Sequence, residues 1–441
     1  MTGPLAPLAH GVGSAEGLPL PLDLVLQAGA ATVVVSFLIA ALWWRTPRLK
    51  PSEPRRFGVA RWLRYPVLVL TLYVTGFAIA GPRDGNPAAH ALFVWLWVGL
   101  IPISVIFGPV WRAVNPLRTI VTLLGLPRHG LRPLPPGRPR SSWPAAAFLL
   151  AFVWFELLVP HHGDPVAVGL WIMGYALSQV ILALYRGEEW FARGDCFEVY
   201  SDLAGRLSPF RHRQPLSGLA AAPSLPTPSA ATPSLPIPSA TATTTATTAV
   251  TATTGAAATA SGAAATPLAA AGIAGFIAVW WGSTVFDSVS ASPVWADVIE
   301  RAGSPLLPGT AALVLLCALV LLAVRWTAGR VDVSLSLIPI AVGYTLAHYL
   351  SLLIVEAPRG VLLLFGLPAT GWDPQPAPAA IATAQIALIL IGHAIGVIVA
   401  HDHSLTSDAH RPTLAVVADE LPLVLFMIVC TWAGLLLLFV R

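Results

Sequence analysis

Apolar runs of roughly 20 residues recur along the whole chain, separated by short connections rich in proline and arginine. A helix of that length crosses a hydrocarbon core of about 30 Å. Ten runs have this character: 22–44, 65–81, 91–110, 143–159, 165–185, 267–287, 305–324, 333–355, 379–401 and 421–440. The second, fourth and sixth are the weakest, being short or rich in alanine and glycine. The pattern predicts an all-α fold, a polytopic transmembrane bundle of about ten helices whose solvent is the lipid bilayer.

Composition agrees: 56% of residues are hydrophobic, 10% are charged and mean hydropathy is +0.74, outside the range of soluble globular proteins. The net charge of +4 is no nucleic-acid footprint, because the basic residues sort by connection. Alternate loops at 45–65, 111–142, 186–266, 325–332 and 402–420 hold 21 of the 25 Lys and Arg; the other side has Arg83, Arg301, Arg359 and Arg441. The positive-inside rule then places both termini outside the cytoplasm of a cell-membrane protein. Three cysteines, without CxxC or Cys/His spacing, define no disulfide framework and no zinc motif. The first apolar run lacks a basic flank before it and is followed by "RTPRLKPSEPRR", which predicts an uncleaved anchor.

Four regions follow from this pattern. Residues 1–21 form an extracytoplasmic tail, 22–219 the first five helices, 220–266 a tether and 267–441 the last five helices. The tether repeats "PSLPTPSAAT" as "PSLPIPSATA" and continues as an Ala/Thr tract. Such text buries too little apolar surface to offset its conformational entropy and is predicted to be disordered in the cytoplasm. Just before it, "LYRGEEWFARGDCFEVYSDLAGRLSPF" (184–210) mixes charges and aromatics at helical spacing and predicts an amphipathic helix on the inner interface. "FGPVWRAVNPLRTI" (107–120) has the same character, with Pro109 and Pro116 as breaks.

An ionisable side chain at mid-bilayer costs at least about 2.5–3.5 kcal/mol, so each one is a candidate functional residue. Glu156, Asp287 and His348 fall towards the outer ends of the fourth, sixth and eighth helices, with His161, His162, Asp164 and Glu356 nearby. On one helix Tyr344, His348 and Ser351 would share a polar stripe about 60° wide. Such a stripe predicts that His348 pairs with Asp287 or Glu156 in a pocket open to the outer face. In "GHAIGVIVAHDH", Gly392 and Gly396 form a GxxxG contact face bordered by His393. His401, Asp402 and His403 read as a solvated helix end, since two His side chains in this spacing diverge by about 200° on a helix and cannot share a metal. Walker A, GxSxG and HExxH motifs are absent from the sequence.

The phrases "LPLPLDL", "FGPVWRAVNPLR", "RGDCFEVYSDLAGRLSPF", "STVFDS", "LAHYLSLL" and "GHAIGVIVAHD" together resemble an actinobacterial multi-pass membrane family labelled fenitrothion hydrolase or fenitrothion hydrolase-like. The resemblance spans the chain apart from 220–266. It implies hydrolysis of an apolar organophosphate ester, chemistry that usually uses a metal-bound hydroxide. Glu156, Asp287 and His348 would then bind a divalent metal or supply a general base, with His393 and His401 as the remaining family residues. The predicted depths scatter them: His348 outer, His393 nearer the middle, His401 inner. Two other readings stay open. The same groups, with Tyr344, His393 and His401, would form a relay in a transporter or accessory factor moving a proton, a metal ion or a small solute. Alternatively they are packing hydrogen bonds in a structural or docking protein.

Overall fold

The computed structural model describes residues 18, 20–50, 52, 61–133, 141–211, 216–220, 267–327, 334–369, 372, 374, 377–407 and 413–439. Nearly all of the predicted tail and tether lie outside these residues. The described regular structure is entirely helical. α1 is Leu22–Trp43 and α2 is Arg64–Ala80. A π-helical stretch, His90–Val98, runs into α3, Leu100–Phe107; α4 (Val110–Val114) and α5 (Pro116–Leu123) follow. Next come α6 (Trp143–Leu158), α7 (Pro165–Arg186), α8 (Phe191–Gly194) and α9 (Cys196–Gly205). The second half holds α10 (Pro267–Ser290), α11 (Pro293–Ala302), α12 (Leu306–Thr327), α13 (Ser334–His348), α14 (Leu350–Leu364), α15 (Pro378–Ser407) and α16 (Thr413–Phe439).

Each of the ten predicted runs is helical. Among the described residues seven helices are long and apolar enough to cross a membrane, and α13 with α14 makes an eighth if the bent pair counts as one span. At 17 and 16 residues, α2 and α6 are shorter apolar helices. The predicted continuous helix 333–355 bends by 64° between His348 and Leu350. Tyr349, at φ −98° and ψ 11°, leaves the helical region there.

Glycines set the closest helix contacts. A Cβ on Gly343 would meet the Leu388 carbonyl oxygen at 2.5 Å, one on Gly392 that of Pro339 at 2.6 Å, and one on Gly396 that of Ser336 at 2.8 Å. The GxxxG face of α15 is therefore the seam against α13. α1 packs on α15 and α16, at the far end of the sequence. Gly29 lies against Leu435 and Thr431, while His401 joins the last residues of α1 to Glu420. α1 and α16 are thus antiparallel, and the start of one lies beside the end of the other.

The interfacial helix predicted within 184–210 is corrected by the structure. α9 is buried almost throughout, packed on α3, α4 and α6. Glu198 does not face water because the other predicted interfacial stretch supplies its partners, Asn115 and Arg118, whereas Asp202 stays partly exposed and pairs with Arg206 and Arg211. Pro116 opens α5 beneath an Asn115 cap, and Gly205 of α9 sits directly on Gly108 and Pro109. The two stretches are one buried unit.

Candidate functional site

α10 is the most enclosed of the candidate spans and carries the centre of the site. Its hydroxyls bond back onto their own helix, Ser283 and Thr284 to the Trp280 carbonyl and Ser288 to that of Thr284. Asp287, one residue earlier, faces α13. Its Oδ2 lies 2.9 Å from His348 Nε2 and accepts the Tyr349 hydroxyl at 2.9 Å. The other imidazole nitrogen, Nδ1, is 3.2 Å from Ser288 Oγ, which is 3.0 Å from the Tyr344 hydroxyl. His348 is 0% and Asp287 3% exposed.

The bend at Tyr349 builds this geometry. On a continuous helix Tyr349 would point about 100° away from His348; at the break both side chains reach the same carboxylate. The predicted stripe changes accordingly. Tyr344 belongs to the cluster, whereas Ser351 lies beyond the bend and is only partly buried. Thr345 takes the Trp280 indole at 3.0 Å instead.

Glu156 of α6 is 4% exposed, and its Oε2 has no hydrogen-bond partner among the described residues. It lies near enough to Asp287, Tyr349 and Tyr200 to interact with each electrostatically. The structure therefore gathers Asp287, His348 and Glu156 in one buried region, with Tyr349 and Ser288 as members that the sequence did not single out. The expected opening to the outer face is not formed, since His348, Asp287, Ser288, Tyr344 and Tyr349 are all buried.

The remaining predicted residues lie elsewhere. His393 bonds only its own helix, Nδ1 to Ile389 O at 2.9 Å, and its Nε2 has no partner among the described residues. Asp164 caps α7 and pairs with Arg83 at 3.4 Å. His90, unpredicted, sits 3.0 Å from Glu356, which also takes Arg359 at 2.6 Å.

His401, Asp402 and His403 form no solvated helix end. They are 1%, 0% and 3% exposed, and all three hold distant segments, His401 and Asp402 meeting at Trp44. His401 sets Nδ1 at 2.9 Å from Glu420 and Nε2 at 3.0 Å from the Trp44 carbonyl. Asp402 accepts from the Trp44 indole and from the Arg48 and Leu49 amides, while His403 reaches Leu219 O at 2.7 Å. At this end Glu420, backbone carbonyls and amides and the Trp44 indole meet the polar atoms, apart from Asp402 Oδ2, which has no hydrogen-bond partner among the described residues.

Outside the candidate spans, Asp195 and Glu198 make a second buried network. Asp195 accepts from Tyr175, Asn115, Trp111 and the Phe197 amide. Burial, then the Glu198 charge, pushes the Asp195 carboxyl up from 3.8 to about 6, against the bonds from Tyr175, Asn115 and Trp111. Glu198 receives Arg118 at 2.7 Å through both Nε and Nη2. Burial works against the Arg118 charge, but the bond and charge of Glu198 outweigh it and raise its pKa.

A divalent metal does not fit these residues as arranged. Among the described residues no three His, Cys, Asp or Glu side chains are grouped as ligands. Both ring nitrogens of His348 are engaged by Asp287 and Ser288. A hydroxyl both donates and accepts, so by rotating Ser288 can direct its hydrogen bond to His348, Tyr344 or the Thr284 carbonyl, and an imidazole beside a carboxylate is a pair that can exchange a proton. Comparison with protein-family models, curated proteins and solved structures gives no match for this chain.

Proposed function

We propose that this chain is a ten-span cell-membrane protein with both termini extracytoplasmic, in which Asp287, His348 and Glu156 bind and release protons to drive the movement of an ion or small solute. The observation that carries this reading is the Asp287–His348 hydrogen bond at 2.9 Å beside a second buried carboxylate with an unpartnered oxygen. Two carboxylates and a neutral imidazole, shielded from water, carry two negative charges, and each proton taken up removes one of them. Support for the topology comes from the 21-to-4 split of basic residues and from the adjacent ends of α1 and α16, which require an even number of crossings. Protein reconstituted in vesicles with a pH dye inside is expected to pass protons, and Asp287→Asn to cut the rate at least about tenfold. Equal rates in the two proteins and in empty vesicles would sink the proposal. A cysteine at Ser52 should resist an impermeant thiol reagent outside intact cells; labelling there would reverse the orientation.

A second reading has its own observation. Ser288, His348 and Asp287 line up as hydroxyl, imidazole and carboxylate, the order of nucleophile, base and orienting acid in hydrolases. With the family resemblance, this supports hydrolysis of an apolar ester that partitions into lipid. Complete burial of the three weighs against it. A fluorophosphonate probe recovered on Ser288 by mass spectrometry would favour the hydrolase, and absence of labelling in active protein the proton carrier.

A further inference from the structure

The bent α14 leaves two adjoining cavities against α2. One, of about 730 Å³, is lined by Leu70, Trp95, Pro358, Val361, Leu362 and other apolar side chains. Its neighbour, of about 970 Å³, is lined by Tyr73, Asp84, Arg359 and Trp372 as well as apolar residues. Both are walled by α14, and Trp372 belongs to both. The cavities lie on different sides of the helix: Ala357, Pro358, Val361 and Leu362 line one, Arg359, Leu363 and Gly366 the other.

The polar cavity is held in shape from behind. Arg359 donates Nη1 to Glu356 at 2.6 Å and Nη2 to the Trp372 carbonyl at 3.1 Å, and the Trp372 indole bonds the Val355 carbonyl. His90 takes the other Glu356 oxygen. Glu356 is thereby saturated, and the guanidinium is fixed in position while its side chain stays 32% exposed. A guanidinium has five N–H donors, so Arg359 keeps donors in hand for a further acceptor. Asp84, exposed on the same cavity, brings the opposite charge, and the Tyr73 and Trp372 rings offer faces to a cation.

We infer that the pair of cavities binds one phospholipid with a zwitterionic head group. An acyl chain fills the apolar cavity, the phosphate takes the free donors of Arg359, and the ammonium lies against Asp84 with the aromatic rings. Charge complementarity selects this occupant. A head group with phosphate alone would meet the Asp84 carboxylate with no cation of its own to balance it. The site stands on its own geometry, whether or not the central cluster moves protons.

Native mass spectrometry of the full chain in mild detergent tests this, with phosphatidylethanolamine and phosphatidylglycerol added in equal amounts. The wild type is expected to retain one phosphatidylethanolamine, in preference to phosphatidylglycerol. Arg359→Gln and Leu362→Trp should each lower its retention about tenfold, a factor of ten in the binding constant. Asp84→Asn should erase the preference between the two lipids. Arg359→Gln leaves Glu356 short of a partner, so folding of each variant is checked by thermal melting. Should Arg359→Gln fail to fold, Leu362→Trp decides, because it fills the apolar cavity without touching the charges. Wild-type retention in folded Leu362→Trp, or equal binding of the two lipids by the wild type, overturns the inference.

Discussion

Replacing Glu198 by alanine tests whether the two charged stretches are one buried unit. Glu198 is 2% exposed and receives Arg118 through two bonds of 2.7 Å, with Asn115 at 3.3 Å. Removing one partner of a buried ion pair costs about 3–5 kcal/mol, because the other charge stays desolvated. The Arg118 side chain is 21% exposed, so water screens part of that penalty and about 3 kcal/mol is expected. Glu198→Gln keeps an acceptor and the shape, and should cost about half as much. Reversible unfolding in mixed micelles of mild detergent and dodecyl sulfate measures both values. A double-mutant cycle with Arg118→Met separates the pair from the stacking of Arg118 on Phe191, 5.0 Å from the ring. A coupling of about 2 kcal/mol is expected. Additive single mutants, or a loss below about 1 kcal/mol for Glu198→Ala, would refute the argument and return α9 to the membrane surface.

At the α13–α15 seam, Gly392→Leu presses a side chain onto the Pro339 carbonyl, which cannot swing aside, and should cost about 1–3 kcal/mol or more. Gly309→Ala meets only the flexible end of Leu158 and should cost far less; equal losses would show that the seam is not tight. For Asp195 the folded value of about 6 lies above the ordinary 3.8, so folding favours the protonated form. The stability this lends is full below about 3.8 and is lost as pH rises through about 6, an effect of about 3 kcal/mol. The stability of wild type relative to Asp195→Asn should therefore rise as pH falls from about 7 to 4, in surroundings that include Glu198, Arg118, Tyr175 and Cys196. A flat difference would show that the carboxyl titrates normally.

The helices were legible because lipid imposes a simple rule, a run of about 20 apolar residues per crossing. Gly392 and Gly396 were legible for a similar reason, since a small-residue pair on one face has few uses other than close contact. His348 could be paired with Asp287 from scarcity: few ionisable groups lie at that depth. Tyr349 could not be read, because its role depends on a break that a periodic pattern hides. The charged stretches at 107–120 and 184–210 misled for a physical reason. Charge normally marks a wet surface, and two sequences that neutralise each other look, taken singly, like two surfaces. His401, Asp402 and His403 misled in the same way, their partners being carbonyls, amides and Glu420 on distant segments.

The seat of α1 bears on the order in which the molecule comes together. The Trp44–Asp402 bond joins residues 358 positions apart, so α1 is completed long before the helices it packs on exist. It must wait in the bilayer as a lone span. Its sequence suits the wait: Thr32 and Ser36 turn back onto carbonyls of their own helix, leaving neither hydroxyl in need of a protein partner. Gly29 keeps a notch that Thr431 and Leu435, with Leu390, later fill. α1 is thus seated late in the assembly, and a nascent chain halted before residue 378, ahead of α15 and α16, should hold α1 inserted but undocked.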